Sequence, residues 1–288
     1  MNLPPIGLGL APLGKEADAS PREAIDAAWD AGIRYFDTSP LYGGGRSELR
    51  AGHALAERPR AEYVISSKVG HDSDGTKRWI DHRRDTALRS VERSLDRLGT
   101  DRLDLVFVHA PEDHVDEAIT GSYRACRELQ EEGVVGTVGL AVNSTAEGRD
   151  FLGKSGAVDI VMLAGRFTLL DRSGSPLLDD CLAMGTPAIA AGVFNSGLLA
   201  GAGTYDYKPA TDLLRHRADV LREVCARHDT ELGSAAMQFP RRHPAVVTVL
   251  VGATTARDVI QDARWASASV PEAVWTELDR AFEDSRIA

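Results

Sequence analysis

Eight short apolar runs recur along the chain, separated by longer amphipathic stretches: IGLGL (6–10), IRYFD (33–37), YVISSK (63–68), LDLVFVH (103–109), VVGTVGLA (134–141), VDIVMLA (158–164), PAIAA (187–191) and AVVTVLV (245–251). Runs that stay apolar instead of alternating suit parallel strands covered on both faces. The segments between them carry helix punctuation. Ser20-Pro21-Arg22-Glu23 sets an N-cap serine, a proline at N1 and a capping-box glutamate in order, and Thr255-Ala256-Arg257-Asp258 repeats the pattern with an acid at N3. Helices over 84–98 and 115–132 are predicted to stop at Gly99 and Gly133. No composition shift or Pro/Ser-rich linker divides the chain. The pattern therefore predicts a single-domain (β/α)8 barrel over residues 1–288, with a doubly wound parallel sheet as second choice.

A barrel gives several polar residues a common address. Asp37, Lys68 and His109 end the second, third and fourth runs, and Asn143 just follows the fifth. Barrel active sites are built at the C-terminal ends of strands, so four consecutive strands aim polar groups at one mouth. The stretch FDTSPLYGGGRSE (36–48) adds Tyr42, then a tight turn at Gly43 to Gly45 before a helix starting near Arg46. A phenol ordinarily titrates near pH ~10, and a neighbouring ammonium lowers that value. Lys68 beside Tyr42, held by Asp37, with His109 bonding a substrate oxygen, makes a proton relay for a carbonyl/alcohol pair. Singly, each residue has a plainer role as strand-end cap, solvated lysine, loop anchor or rim histidine. Their convergence is what argues for chemistry.

Composition narrows the partners. Lys plus Arg is 33 against 43 Asp plus Glu, a net charge of −10 with no basic run, which argues against nucleic acid. Cys126, Cys181 and Cys225 lie far apart without CxxC spacing, so buried thiols are expected in place of a disulfide framework or zinc site. His71, His82 and His109 show no paired HxH spacing with acids at strand ends, so no metal set is expected. The opening MNLPPIGLGLAPLG has no basic region before an apolar stretch, and no run reaches the roughly 18 apolar residues of a membrane span. The expectation is a cytoplasmic monomer or small homo-oligomer, with a small-molecule substrate and neither membrane nor nucleic-acid partner.

These motifs resemble the aldo-keto reductases. FDTSPLYGGGRSE is similar to that family's aspartate-tyrosine motif, ISSKVG to its lysine strand, RSVERSLDRLGTDRLDLVFVHAPE to its helix and histidine strand, and VLVGATTARDVIQD to its C-terminal nucleotide-binding segment. The resemblance implies Tyr42 as general acid/base, Lys68 and Asp37 as its tuning partners, His109 as the residue orienting the carbonyl, and Asn143 as the grip on the nicotinamide carboxamide of NAD(P). The early GLGLAPLG is no dinucleotide fingerprint, because Pro12 stands where a third glycine is needed. Phosphate falls instead to FNSGLLAG (194–201) and VGATTARD (251–258), the second opening a helix whose free N–H groups and dipole suit an anion. The cofactor-binding set is thus Asn143, Phe194, Ser196, Gly197, Leu198, Gly252, Ala253, Thr254, Asp258 and Asp262.

The resemblance also marks departures. Family members commonly hold the 2′-phosphate of NADP with basic residues in the last segment. Asp258 would repel that phosphate, which favours NAD; alternatively Asp258 only caps its helix and Arg257 serves the phosphate. Ala164 stands for the family's strand-6 glutamine and Ala191 for its strand-7 aromatic, leaving Phe194 or Phe167 to stack on nicotinamide. AGRFTLLD and FNSGLLAG are most similar to the branch that oxidises aldoses at C1, the D-threo-aldose or L-fucose dehydrogenase type, with pyridoxal dehydrogenase close by. That implies a sugar lactol going to a lactone. The chain starts directly at strand 1, and only a short loop, 69–84, follows the lysine strand, with His71 and Trp79 on it as anchors or as lining of the opening. Two other readings stay open: an NADPH-dependent general aldehyde/ketone reductase, and a cofactor-binding, redox-sensing regulatory protein.

Overall fold

The eight apolar runs become eight parallel strands of a closed barrel in a computed structural model that describes residues 3–15 and 20–287. They are β1 (Ile6–Gly9), β2 (Tyr35–Asp37), β3 (Val64–Val69), β4 (Leu103–His109), β5 (Val135–Val142), β6 (Ile160–Ala164), β7 (Ala188–Ala191) and β8 (Val246–Gly252). Each pairs in parallel with its neighbour in sequence, and β8 closes on β1 at Gly9↔Gly252. Closure excludes the doubly wound alternative.

One apolar cluster, made of strand residues that include Tyr35, Phe107, Ile160, Met162, Ile189 and Leu250, fills the barrel, and a larger one lies between strands and helices. Large side chains inside are matched by small ones. A Cβ on Gly7 would come within 2.4 Å of the Tyr35 ring, and one on Gly139 within 2.7 Å of the Phe107 ring. The three cysteines are free and buried, and burial pushes the Cys126 thiol up to about 12. Among the described residues no helix is long and apolar enough to cross a membrane.

Local structure departs from the sequence reading in three places. Thr255 forms its capping box with Asp258, but Ser20 makes no side-chain cap: its ψ is 88°, whereas Thr255 has ψ 159°. Helix Pro21–Asp30 begins on its proline instead. The stretch predicted as one helix over 115–132 contains a π turn at Ile119–Tyr123, set between α-helical Val115–Ala118 and Arg124–Glu131. The bulge carries Gly121, where a Cβ would meet the His82 carbonyl oxygen at 2.0 Å. The loop after β3 is an antiparallel hairpin, His71–Ser73 with Arg78–Ile80, and the segment after β7 holds a second, Thr204–Tyr205 with Lys208–Pro209.

Period-two alternation along β3 sets up the site. Ser66 and Lys68 meet Asp37, whereas Ser67, between them, donates to Glu48 Oε1 at 2.6 Å. Glu48, on helix Arg46–Leu55, is fully buried and takes Arg97 of helix Arg84–Leu98 on its other oxygen at 2.6 Å. This pair fastens the FDTSPLYGGGRSE segment to the outside of the barrel. Removing one partner of a buried charge pair strands the other, at roughly 3–5 kcal/mol. Glu48→Ala is therefore expected to lower unfolding free energy by about 3 kcal/mol in urea denaturation and Glu48→Gln by less, with equal small losses arguing against the network.

Candidate active site

Adjacent strands β2, β3 and β4 carry Asp37, Lys68 and His109 to the barrel mouth, with Asp37 in register with Ser66 and Lys68 with Phe107. Asp37 and Lys68 form an ion pair with Nζ 2.6 Å from Oδ2, each side chain only 2% exposed. Lys68 Nζ also donates to the Thr38 carbonyl at 2.8 Å. The ammonium lies 4.9 Å from the Tyr42 ring centroid. Burial opposes charge on Lys68, but the attraction of Asp37 and Tyr42 and the bond to Asp37 outweigh it, holding its pKa above the ordinary lysine value. Lys68 is thus a cation at neutral pH.

Tyr42 departs from the expectation of a lowered pKa. Burial raises it, Lys68 lowers it, Asp37 raises it again, and the net is a phenol above its ordinary value. At neutral pH Tyr42 is a proton donor. Its place is set by backbone: Gly43, Gly44 and Gly45 all take positive φ (66°, 68° and 82°), and a Cβ on Gly43 would meet the Gly14 carbonyl oxygen at 2.1 Å. The glycine run thus lets the turn fold against the segment after β1.

His109 lies edge-on to Tyr42, with ring centroids 6.1 Å apart. Burial first, then Lys68, His71 and His82, hold its pKa well below the ordinary imidazole range, so it is neutral. The Ser39 hydroxyl accepts from Leu41 N–H and lies 3.5 Å from His109 Nδ1. Its hydrogen is then available to Nδ1, a long contact that favours the His109 tautomer protonated on Nε2.

Beneath the pair lies a layer the sequence reading missed. Ser66 Oγ donates to Asp37 Oδ1 at 2.6 Å, which spends its one hydrogen, so Tyr35 OH, 3.1 Å away, donates to Ser66. Tyr35 is fully buried and its pKa is raised well above normal, first by burial and then by Asp37, keeping the donor in place. The available signal was spacing: Tyr35 is two residues before Asp37 and Ser66 two before Lys68, hence on the same strand faces.

The residues proposed for cofactor are spread along the far rim. Asn143 is exposed at the end of β5, its carbonyl accepting from Arg166 Nε at 3.0 Å. Ala164 and Ala191 are register partners ending β6 and β7. Gly165 and Gly192 follow, and a Cβ on Gly192 would come 3.3 Å from Gly165 N. Asn195, almost wholly buried in the next turn, leaves Oδ1 without a partner. A shallow floor almost free of side chains beside an orphan amide oxygen fits a flat, amide-bearing ring. Asn195 was not anticipated from sequence. Ser196 and Gly197 continue the turn with φ of 58° and 101°, while Ser196 Oγ accepts from Tyr207 N and its carbonyl from Thr204 Oγ1. Leu198 and Ala253 are buried, so the groups they can offer a ligand are backbone.

Both candidate stacking rings pack against another aromatic. Phe167 is buried against Phe239 at 5.1 Å between centroids, and Phe194 packs on Trp265 at 5.4 Å. After β8, two of the N–H groups that the sequence reading left open to phosphate are taken. Past Gly252, the Asp258 carboxylate accepts from Thr254 N (3.4 Å), Thr255 N (3.1 Å) and Thr254 Oγ1 (3.0 Å). One turn on, Asp262 is buried, and burial with the nearby Asp258 pushes its carboxyl up to about 7.

The raised carboxyl has a stability signature. Between pH 3.8 and about 7 folded Asp262 keeps a proton that the unfolded chain has lost, so its contribution falls as pH rises through that window. Asp262→Asn is expected to raise the thermal midpoint at pH 8 while leaving it nearly unchanged at pH 4; equal shifts at both would contradict the burial argument.

Comparison with known proteins places this geometry. The model of the aldo/keto reductase family matches residues 5–283. The chain is 34% identical to D-threo-aldose 1-dehydrogenase of a Pseudomonas species, covering 97% of this chain and 94% of that one. It is 35% identical to pyridoxal 4-dehydrogenase of Microbacterium luteolum, over 95% and 92%. A solved aldo-keto reductase of Bacillus halodurans in its holo form shares the fold, with a TM-score of 0.82 at 24% identity, over 98% of this chain and 91% of that one.

Proposed function

The chain belongs to the aldo/keto reductase family and is an NAD(P)-dependent oxidoreductase, and on that premise we propose that it oxidises aldoses at C1, from lactol to lactone, with NAD preferred and Tyr42 moving the proton. The observation that carries the reading is the buried Asp37–Lys68 pair set against Tyr42 and a neutral His109.

The nicotinamide, when bound, supplies the hydride acceptor or donor. The protein's part is geometry and the proton. His109, with Nε2–H free, donates to the reacting oxygen and fixes its direction. Tyr42 exchanges the hydroxyl proton, and Lys68 stabilises the phenolate that remains when the proton is given up. Because Tyr42 rests protonated, it is ready to donate to a carbonyl, while oxidation of a lactol draws on its ionised form. Asn143 and the orphan Asn195 Oδ1 would hold the ring amide above the Ala164–Ala191 floor.

Preference for NAD rests on Asp258. Its carboxylate already occupies the Thr254 and Thr255 N–H groups, so a 2′-phosphate there would meet a negative charge and find its donors taken. Arg257 is exposed close by, and reading it as the phosphate ligand is the competing account.

The test is nicotinamide absorbance across NAD+ and NADP+ with aldoses, and NADH and NADPH with simple aldehydes. Aldose oxidation with NAD+ is expected, rising with pH above neutrality as Tyr42 ionises. Tyr42→Phe should lower turnover by roughly 10²- to 10⁴-fold with cofactor affinity kept. Aldehyde reduction with NADPH alone would replace this reading with a general carbonyl reductase, and cofactor binding without turnover would make the protein a sensor. Asp258→Asn should shift the NAD+/NADP+ dissociation-constant ratio toward NADP+ by about fivefold, from a unit charge at roughly 4 Å in water; an unchanged ratio points to Arg257.

A further inference from the structure

The hairpin after β3 brings a second histidine to the site. His71 begins it, paired with Ile80. Its ring lies 5.1 Å from that of His109, tilted by 42°, and its Nε2 is 2.8 Å from the Ala110 carbonyl oxygen. A carbonyl only accepts, so Nε2 carries hydrogen. Ala110 follows His109 directly and holds φ 37°, a left-handed conformation that costs a residue with a Cβ of order 1 kcal/mol or more. Its peptide N–H donates to Ala141 O at 2.7 Å, continuing the β4–β5 ladder. The residue after the carbonyl-orienting histidine is thus held on both sides, by β5 through its N–H and by His71 through its C=O.

His71 is itself well anchored. Asp72 pairs with Arg93 of helix Arg84–Leu98 at 2.8 Å, and Asp81 N donates to Gly70 O at 2.8 Å at the hairpin's base. At its tip a Cβ on Gly44 would come 2.5 Å from Gly75 N, so the hairpin also abuts the turn that carries Tyr42. Tyr42, Ser39 and His71 thus all meet the His109 ring, and the last arrives on an element outside the barrel.

We propose that His71 is a positioning residue for His109: its Nε2–H fixes the left-handed Ala110 and its ring packs against the imidazole, keeping His109 aimed at the substrate oxygen. This rests on the reading of His109 as the group that orients the carbonyl. Displacing a reacting group by about 1 Å costs up to roughly 10²-fold in rate.

The experiment compares His71→Leu, which fills the space without a donor, with His71→Gln, whose amide N–H reaches where Nε2 stands. Each is made alone and in a His109→Leu background, and assayed with NAD+ and the aldose, or NADH and the aldehyde, that the parent turns over. His71→Leu is expected to lower kcat/KM by about 10- to 100-fold, mainly through kcat, with the NAD+ or NADH dissociation constant and thermal midpoint nearly unchanged. His71→Gln should recover to within about threefold of the parent. In the His109→Leu background either His71 substitution should add almost nothing, since the group being aimed is gone. Independent losses in that background, or equal losses for Leu and Gln, would overturn the proposal. If His109→Leu alone leaves kcat/KM intact, it is the role of His109 that fails. Imidazole nitrogen NMR of the unmodified protein tests the latch without variants: His71 protonated on Nε2 supports it, and the Nδ1–H tautomer overturns it.

Discussion

A lysine ammonium and an aspartate carboxylate, both almost shut off from water, form the constraint around which this mouth is organised. Taking two such ions out of water costs several kcal/mol each unless their remaining hydrogen-bonding capacity is met. The fold meets much of it: Ser66 takes the second carboxylate oxygen, Tyr35 supplies Ser66, the Thr38 carbonyl takes a second ammonium hydrogen, and the Tyr42 ring lies beside the cation. Parallel neighbours β2 and β3 bring these groups together in register, and barrel closure keeps the register from slipping. The phenol is therefore more than an adjacent residue; it is one of the partners that make the buried cation tolerable.

Low polarity then sorts the protonation states. The same burial that Asp37 overcomes for Lys68 goes uncompensated for His109, which stays uncharged, and for Tyr42, which stays protonated despite the ammonium beside it. A cation, a neutral donor and a phenol thus sit within one small volume without a second net charge among them. On the opposite rim the mouth is built by omission, with Ala164, Gly165, Ala191 and Gly192 leaving a floor and Asp258 satisfying its own helix end.

Much of this was legible from sequence because parallel strands are buried on both faces and so appear as unbroken apolar runs, each ending in the residue that reaches the mouth. Asp37, Lys68 and His109 stood out as polar breaks at those ends. Tyr35 and Ser66 did not, because a polar atom within an apolar run gives no break, and only the two-residue spacing ties them to Asp37 and Lys68. The hairpin carrying His71 was read as a plain loop, since DSDGTK holds turn residues but its strands are too short to show alternation. The packing of Phe167 and Phe194 was not legible, because their partners, Phe239 and Trp265, lie more than 70 residues away in sequence. Ser20 and Thr255 carry nearly the same capping pattern, and backbone ψ decides between them. Asp258 had two roles open to it, and the fold turns its carboxylate back on Thr254 and Thr255.

The two hairpins on the mouth are fastened by side chains, not by the barrel's ladder: one through Arg93–Asp72 and His71–Ala110, the other through Arg166–Asp206 and Tyr205–Asp171. Their backbones add nothing to the eight-stranded cylinder, and their sequences are not bound by its register. The rim of this enzyme thus carries two parts added to a closed hub, one of them tied to the site through His71. Lineages, or engineers, are free to trade the second hairpin for another of different length or chemistry, changing what the mouth admits, whereas the first can be traded only if a donor is kept where His71 meets Ala110.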